Sequence, residues 1–282
     1  MRPRPVVDAK GRVGGRPTPG QNALPGVPSV MKNWSGKEAV VLMAKAPVAG
    51  RVKTRLCPPL DPRESAALYA CMLGDMADEV SSVPRVRRYL FLDPPESTVF
   101  LRREPFCAFE RFPQRGRDLG DRMWGAAATA FRRGARRVVI VGADCPSLSA
   151  GTVRRAFREL STGASVVLGP SADGGYYLIG LSSPDERLFR GFRWSTAEVL
   201  RNAAARCRIV SAPFSFLPPG RDVDTWEDIL ELRAWTRTHA RPACPRTREW
   251  ITGFFSPGGG GFPGPPGRTP GPPRGSRSRR GG

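Results

Sequence analysis

The chain has 282 residues and carries 45 Lys and Arg against 25 Asp and Glu, a formal net charge of +20. So large a surplus favours anionic partners: nucleic acid, a membrane surface or phosphorylated small molecules. The single histidine, His239, mostly excludes Ser-His-Asp triads, Cys-His pairs and multi-histidine metal sites. A metal would then be held by carboxylates, and a base would be Asp, Glu, Lys, Tyr or Cys.

The charge is unevenly placed. Residues 1–34 hold six Lys and Arg and one acid among many Pro and Gly, and residues 256–282 hold ten Gly, seven Pro and five Arg. Such segments lack the apolar surface that would offset the entropy of ordering them. The composition predicts a disordered basic segment over 1–34, one domain over 35–250 and a disordered tail over 251–282. The six cysteines form no C-x-x-C pair, which argues against a zinc ribbon or a thioredoxin-type site. No apolar run follows "MRPRP", and none approaches the ~20 residues of a membrane span. The expectation is a reduced, cytoplasmic protein without a membrane span.

In chain order, "AVVLMA" (39–44) reads as a strand and 61–80 as a helix, with Asp61 as N-cap, Pro62 at the first position and Glu64 completing a capping box. Residues 86–92 read as a strand, 119–134 as a helix ending at Gly134, and 136–144 as a strand. A helix over 149–160 starts at Ser149. Strands follow at 164–170 and 176–181, then a helix over 195–206 capped by Ser195, a strand over 208–214 and a last helix over 225–238. Strand and helix in alternation predict an α/β fold: a mostly parallel central sheet with helices on both faces. Ligands in such sheets bind beyond the carboxyl ends of the strands.

Four strand ends carry chemistry. The first opens "MAKAPVAGRVKTRL" (43–56), with Lys45, Gly50, Arg51, Lys53 and Arg55. It is not a Walker A loop, whose glycines would fall on Val52 and Pro47. It reads equally as a phosphate cradle or a solvated basic loop. After the third strand, "GADCPSL" places Asp144 where a buried strand surfaces, suited to Mg²⁺ or Mn²⁺ or to a turn. After the fourth, Asp173 precedes two glycines, which allow a ligand close approach or make a hairpin turn. In "GRDVDTWEDIL", Asp224 is either a second metal carboxylate or, with Thr225, a candidate helix cap.

Together "MAKAPVAGRVKTRL", "VVIVGADCPSL", "GPSADGGYYLIGL", "WST" (194–196) and "DVDTWEDIL" resemble, over about residues 38–235, the GT-A-type transferase family often labelled simply glycosyltransferase. That family stands near the 2-phospholactate and molybdenum-cofactor guanylyltransferases. The resemblance implies a Rossmann-like GT-A fold, that of the nucleotide-diphospho-sugar transferases, with a nucleotide site across the strand ends. It makes Lys45, Gly50, Arg51, Lys53 and Arg55 the phosphate cradle, Asp144 the metal aspartate and Asp224 the second carboxylate. Two departures stand out. Asp144-Cys145-Pro146 replaces the Asp-x-Asp of typical glycosyltransferases and looks closer to nucleotidyltransferases. Trp226 stands where relatives usually have Pro.

The expected function is a metal-dependent transferase with a nucleotide-activated donor, a small-molecule acceptor and a divalent Mg or Mn cofactor. In one version an NDP-sugar loses its diphosphate; in the other a phosphorylated acceptor attacks an NTP. Lys53 would stabilise leaving-group charge, and Asp173 would orient the acceptor or act as base. A reading of another class is non-specific nucleic-acid binding through the basic tails. Against it, they lack interleaved aromatics apart from Phe254, Phe255 and Phe262.

Overall fold

Strand β1 (Glu38–Lys45) is buried on both faces from Ala39 to Ala44, so it can only be an interior strand. The computed structural model, which describes residues 36–94, 105–239 and 244–256, places it near the centre of a seven-stranded sheet. The order is β3-β2-β1-β4-β6-β5-β7, with β2 Val86–Asp93, β3 Glu110–Pro113, β4 Arg137–Val141, β5 Val166–Pro170, β6 Tyr176–Leu181 and β7 Phe214–Phe216. All pairings are parallel except the two made by β6, which runs antiparallel to β4 and β5.

Helices cover both faces, as alternating strand residues require. Val40 and Leu42 point to α1 (Pro62–Ser81), α3 (Ala150–Ser161), α5 (Trp226–Thr238) and α6 (Pro245–Phe254). Ala39, Val41 and Met43 point to α2 (Leu119–Arg132) and α4 (Val199–Ile209). The Asp61 capping box on α1 forms as its sequence predicts. β1 is followed in space by β2 and β3 on one side and by β4 on the other, so the chain reverses direction across the sheet between β1 and β4. A crevice opens at such a point.

Several boundaries differ from the sequence reading. Of the segment expected as a strand over 208–214, residues 208–209 instead complete α4, because Val199, Ala203, Ala204 and Cys207 line one buried helical stripe, and only Phe214 is in a strand. β7 follows only after a turn at Ser211, whose φ is 54°. Ser195 caps no helix: its own φ is 62°, and α4 starts at Val199. α2 is capped by Asp118, which accepts from the Asp121 N–H at 2.8 Å. The folded region also extends past residue 250. α6 continues to Phe254, Ile251 is buried in the main core, and Phe254 and Phe255 pack around Trp226. The disorder expected for 1–34 and for 257–282 lies outside the described residues.

Candidate active site

The loop after β1 is anchored from beneath. Ser65 on α1 is fully buried, and its hydroxyl donates to the Lys53 carbonyl at 2.8 Å. Val52 is buried beside it, and Lys53 takes the left-handed conformation, φ 47°. The lysine side chain therefore turns inward. Its Nζ donates to Asp144 Oδ2 at 3.2 Å and to Asp224 Oδ1 at 2.7 Å, with only 5 % of the side chain exposed. Arg55 stays at the mouth, 3.9 Å from Asp224 and 73 % exposed, where an ion pair contributes little by itself. Lys45 lines the same cleft, and its N–H donates to the Tyr69 hydroxyl at 2.9 Å. Gly50 (φ 76°) and Arg51 form the outer turn of the loop and do not line the cleft.

The carboxylates arrive on two segments. Asp144 follows β4 after Gly142-Ala143. The stretch before α5 is stitched alongside: Gly220 N–H donates to Pro170 O at 2.8 Å, and Val223 N–H to Asp144 O at 3.0 Å. The cap of α5 is Thr225, in a capping box with Asp228, so the Asp224 side chain is released to the cleft. Asp173 sits in the turn of the β5–β6 hairpin, and its Oδ1 accepts from Ser171 Oγ at 2.5 Å and from Gly175 N–H at 2.9 Å. The hairpin and ligand readings of Asp-Gly-Gly are therefore compatible: Oδ1 holds the turn while the residue lines the cleft.

Burial works against the Lys53 charge, but Asp144 and Asp224 outweigh it and hold its pKa above the ordinary lysine value. Burial likewise opposes the Asp224 charge, and Lys53 and Arg55 bring its pKa below the usual carboxylate value. For Asp222 the Lys53 charge acts in the same direction but does not prevail. Burial first, then Asp144 and Asp173, push it up to about 8, and its Oδ1 is buried without a hydrogen-bond partner. A carboxyl whose folded pKa is raised binds more protons folded than unfolded, so its contribution falls as pH rises from about 4 to about 8. Asp222→Asn should therefore melt above the wild type at pH 8 in chelator and match it near pH 4; equal melting temperatures at pH 8 would refute the assignment.

Asp144 and Asp224 share one cation, the Lys53 ammonium, and Asp222 offers an unpartnered oxygen nearby. An all-oxygen set of this kind fits Mg²⁺ or Mn²⁺. Among the described residues no group of three or more His, Cys, Asp and Glu could hold a metal ion alone. Donor phosphates and water would have to complete the shell, which is usual for Mg²⁺.

Sequence reasoning missed much of the remaining wall. Gln114, just after β3, donates to Ala44 O at 2.8 Å and Phe91 O at 3.0 Å and closes the floor between β1 and β2. Beyond the carboxylates the cleft, about 470 Å³ in all, turns apolar, lined by Leu119, Met123, Tyr176, Trp194 and Val199. Tyr176 meets the edge of Trp194, centroids 6.5 Å apart. No helix among the described residues is long and apolar enough to cross a membrane.

The family model described as an uncharacterized protein conserved in bacteria (DUF2064) matches residues 76–196. No curated protein matches the chain. Among solved structures, a candidate nucleotide-diphospho-sugar transferase of Desulfovibrio desulfuricans G20 is 28% identical, with TM-score 0.71, over 78% of this chain and 95% of that one. Rv0371c of Mycobacterium tuberculosis H37Rv is 20% identical, TM-score 0.46, over 70% and 98%, and has also been solved with manganese. A cytidylyltransferase of Leptospira borgpetersenii is 15% identical, TM-score 0.49, over 78% and 94%. The first of these likenesses and the sheet order agree with the motifs: the chain has the Rossmann-like, GT-A-type fold of the nucleotide-diphospho-sugar transferases.

Proposed function

We propose that the chain is a metal-dependent glycosyltransferase that takes an NDP-sugar as donor and a neutral hydroxyl compound as acceptor. The observation that carries this reading is the segregation of charge along the cleft. Lys45, Lys53, Arg55, Asp144 and Asp224 gather at one end, and Leu119, Met123, Tyr176 and Trp194 form the other. A donor diphosphate suits the first end. The phosphorylated acceptor of the alternative, nucleotidyl-transfer reading would need cations at the second. The only other cation lining the cleft among the described residues is Arg122, and Asp93 already pairs with it at 2.9 Å. The Desulfovibrio relative, with its sugar-transferase assignment, supports the same choice.

In this reading Asp144 and Asp224 would hold Mg²⁺ or Mn²⁺, which when bound supplies charge stabilisation for the departing diphosphate. Lys45, Lys53 and Arg55 bind and orient the phosphates, adding preorganised positive charge where the leaving group becomes more negative. Asp173 accepts the proton of the acceptor hydroxyl. Its Ser171 and Gly175 partners fix Oδ1, leaving Oδ2 for that proton. The apolar wall excludes water from the anomeric carbon.

A thermal-shift panel of NTPs and NDP-sugars, with and without Mg²⁺ or Mn²⁺, tests the reading. A donor at a hundred times its Kd stabilises by about 2.7 kcal/mol, roughly 5–10 °C for a domain of this size. The expected result is a metal-dependent rise with one family of NDP-sugars. A rise confined to NTPs would favour nucleotidyl transfer, and no rise with any nucleotide would reject both.

A further inference from the structure

We infer that Lys53 is the resident counter-ion of Asp144 and Asp224, so that the divalent cation enters together with the donor diphosphate rather than ahead of it. This rests on the transferase reading above and adds an order of binding to it.

The ammonium contacts one oxygen of each carboxylate, at 3.2 and 2.7 Å. A dication held by Asp144 and Asp224 would need the same pair of carboxylates, and the ammonium already on one oxygen of each would repel it. A cation arriving alone would bind against that repulsion or displace the ammonium from both hydrogen bonds, stranding its charge on a side chain only 5 % exposed. An unpaired charge in such a place is costly. A diphosphate removes that cost, because its oxygens accept from the displaced ammonium. Metal and diphosphate therefore bind with positive coupling, and by linkage each raises the affinity of the other equally.

The local structure allows this exchange without refolding the loop. The Lys53 backbone is fixed by the Ser65 hydroxyl, which donates to the carbonyls of Lys53 at 2.8 Å and Val52 at 3.3 Å. Only the side-chain torsions need change. Arg55, exposed at the mouth, cannot substitute: its single contact with Asp224 is 3.9 Å long, and no contact with Asp144 accompanies it.

The consequence runs against ordinary expectation. Removing a phosphate-binding lysine should improve metal binding. Mn²⁺ alone would be titrated into wild type, Lys53→Gln, Lys53→Met and Arg55→Gln, with free Mn²⁺ read by electron paramagnetic resonance and each fold checked by its melting curve. Both Lys53 variants should bind Mn²⁺ at least tenfold more tightly than wild type, while Arg55→Gln stays within about threefold. Lys53→Gln keeps a polar group between the carboxylates and carries the test if Lys53→Met does not fold. Affinity in a folded Lys53 variant equal to or below wild type would overturn the inference. So would an equal gain in Arg55→Gln, which would make the effect one of net charge. The transferase reading fails separately, in the wild-type arm of the nucleotide panel: a wild type with metal-dependent nucleotide binding but no Mn²⁺ gain in the variants sinks only the role given to Lys53.

Discussion

Asp144→Asn should lose the metal-dependent part of nucleotide binding and lower turnover on the order of 10³-fold, with whichever donor stabilises the wild type. The change removes one charge and almost no volume. The Asp144 side chain is 40 % exposed, so no buried cavity forms, and Lys53 keeps its shorter contact with Asp224 at 2.7 Å. The melting temperature without ligand should therefore stay within a few degrees. The position explains the size of the functional effect. Asp144 stands beyond β4, beside the end of β1, where the chain reverses direction across the sheet. Calorimetry of nucleotide binding with Mn²⁺ and with chelator, plus a steady-state assay, would check it. Turnover within tenfold of wild type, with the same metal dependence, would remove Asp144 from the metal site.

Asp144 was legible in the sequence because its signal is local: an apolar strand ends, and a carboxylate follows within three residues. The β1 run and the Asp61 capping box were legible for the same reason. The inward turn of Lys53 was not. It depends on Ser65, which lies twelve positions away on α1 and whose only sign is a serine on an otherwise apolar helix face. The release of Asp224 turned on which of two adjacent residues caps α5, and Asp224 and Thr225 both suit a cap. Asp222 could be read only as one of two acids before a helix, since what perturbs it is burial in the fold and then Asp144 and Asp173, on loops distant in the chain. The strand expected over 208–214 failed because "RIV" serves equally well as the last turn of a helix, and burial on α4 decided the matter.

The least legible element was α6, and it carries the largest expected effect on stability. Asp75→Ala should lower stability by about 3 kcal/mol, a fall of roughly 6–12 °C in melting temperature. Asp75 lies mid-helix in α1 and is 1 % exposed, an unfavourable place for a carboxylate. Burial raises its pKa, and hydrogen bonds from Thr247 and Arg246 act against that rise. Those bonds are the reason it is there. Its oxygens accept from Arg246 N–H at 3.0 Å, Thr247 N–H at 2.8 Å and Thr247 Oγ1 at 2.7 Å, which are donors at the N-terminus of α6. The nominal cap of α6, Cys244, makes no side-chain hydrogen bond, so Asp75 does that work from a distant part of the chain. Truncation to Ala would leave the buried Thr247 hydroxyl and two backbone donors without an acceptor. It would also loosen Trp250 and Ile251, both buried in the core. No α6 residue lines the cleft, so nucleotide affinity measured well below the melting temperature should match wild type. A Thr247→Val partner variant should fall less, since only the hydroxyl contact is lost, and the double variant should cost less than the sum of the two. A fall of under 2 °C in Asp75→Ala would show that α6 holds its place by apolar packing alone.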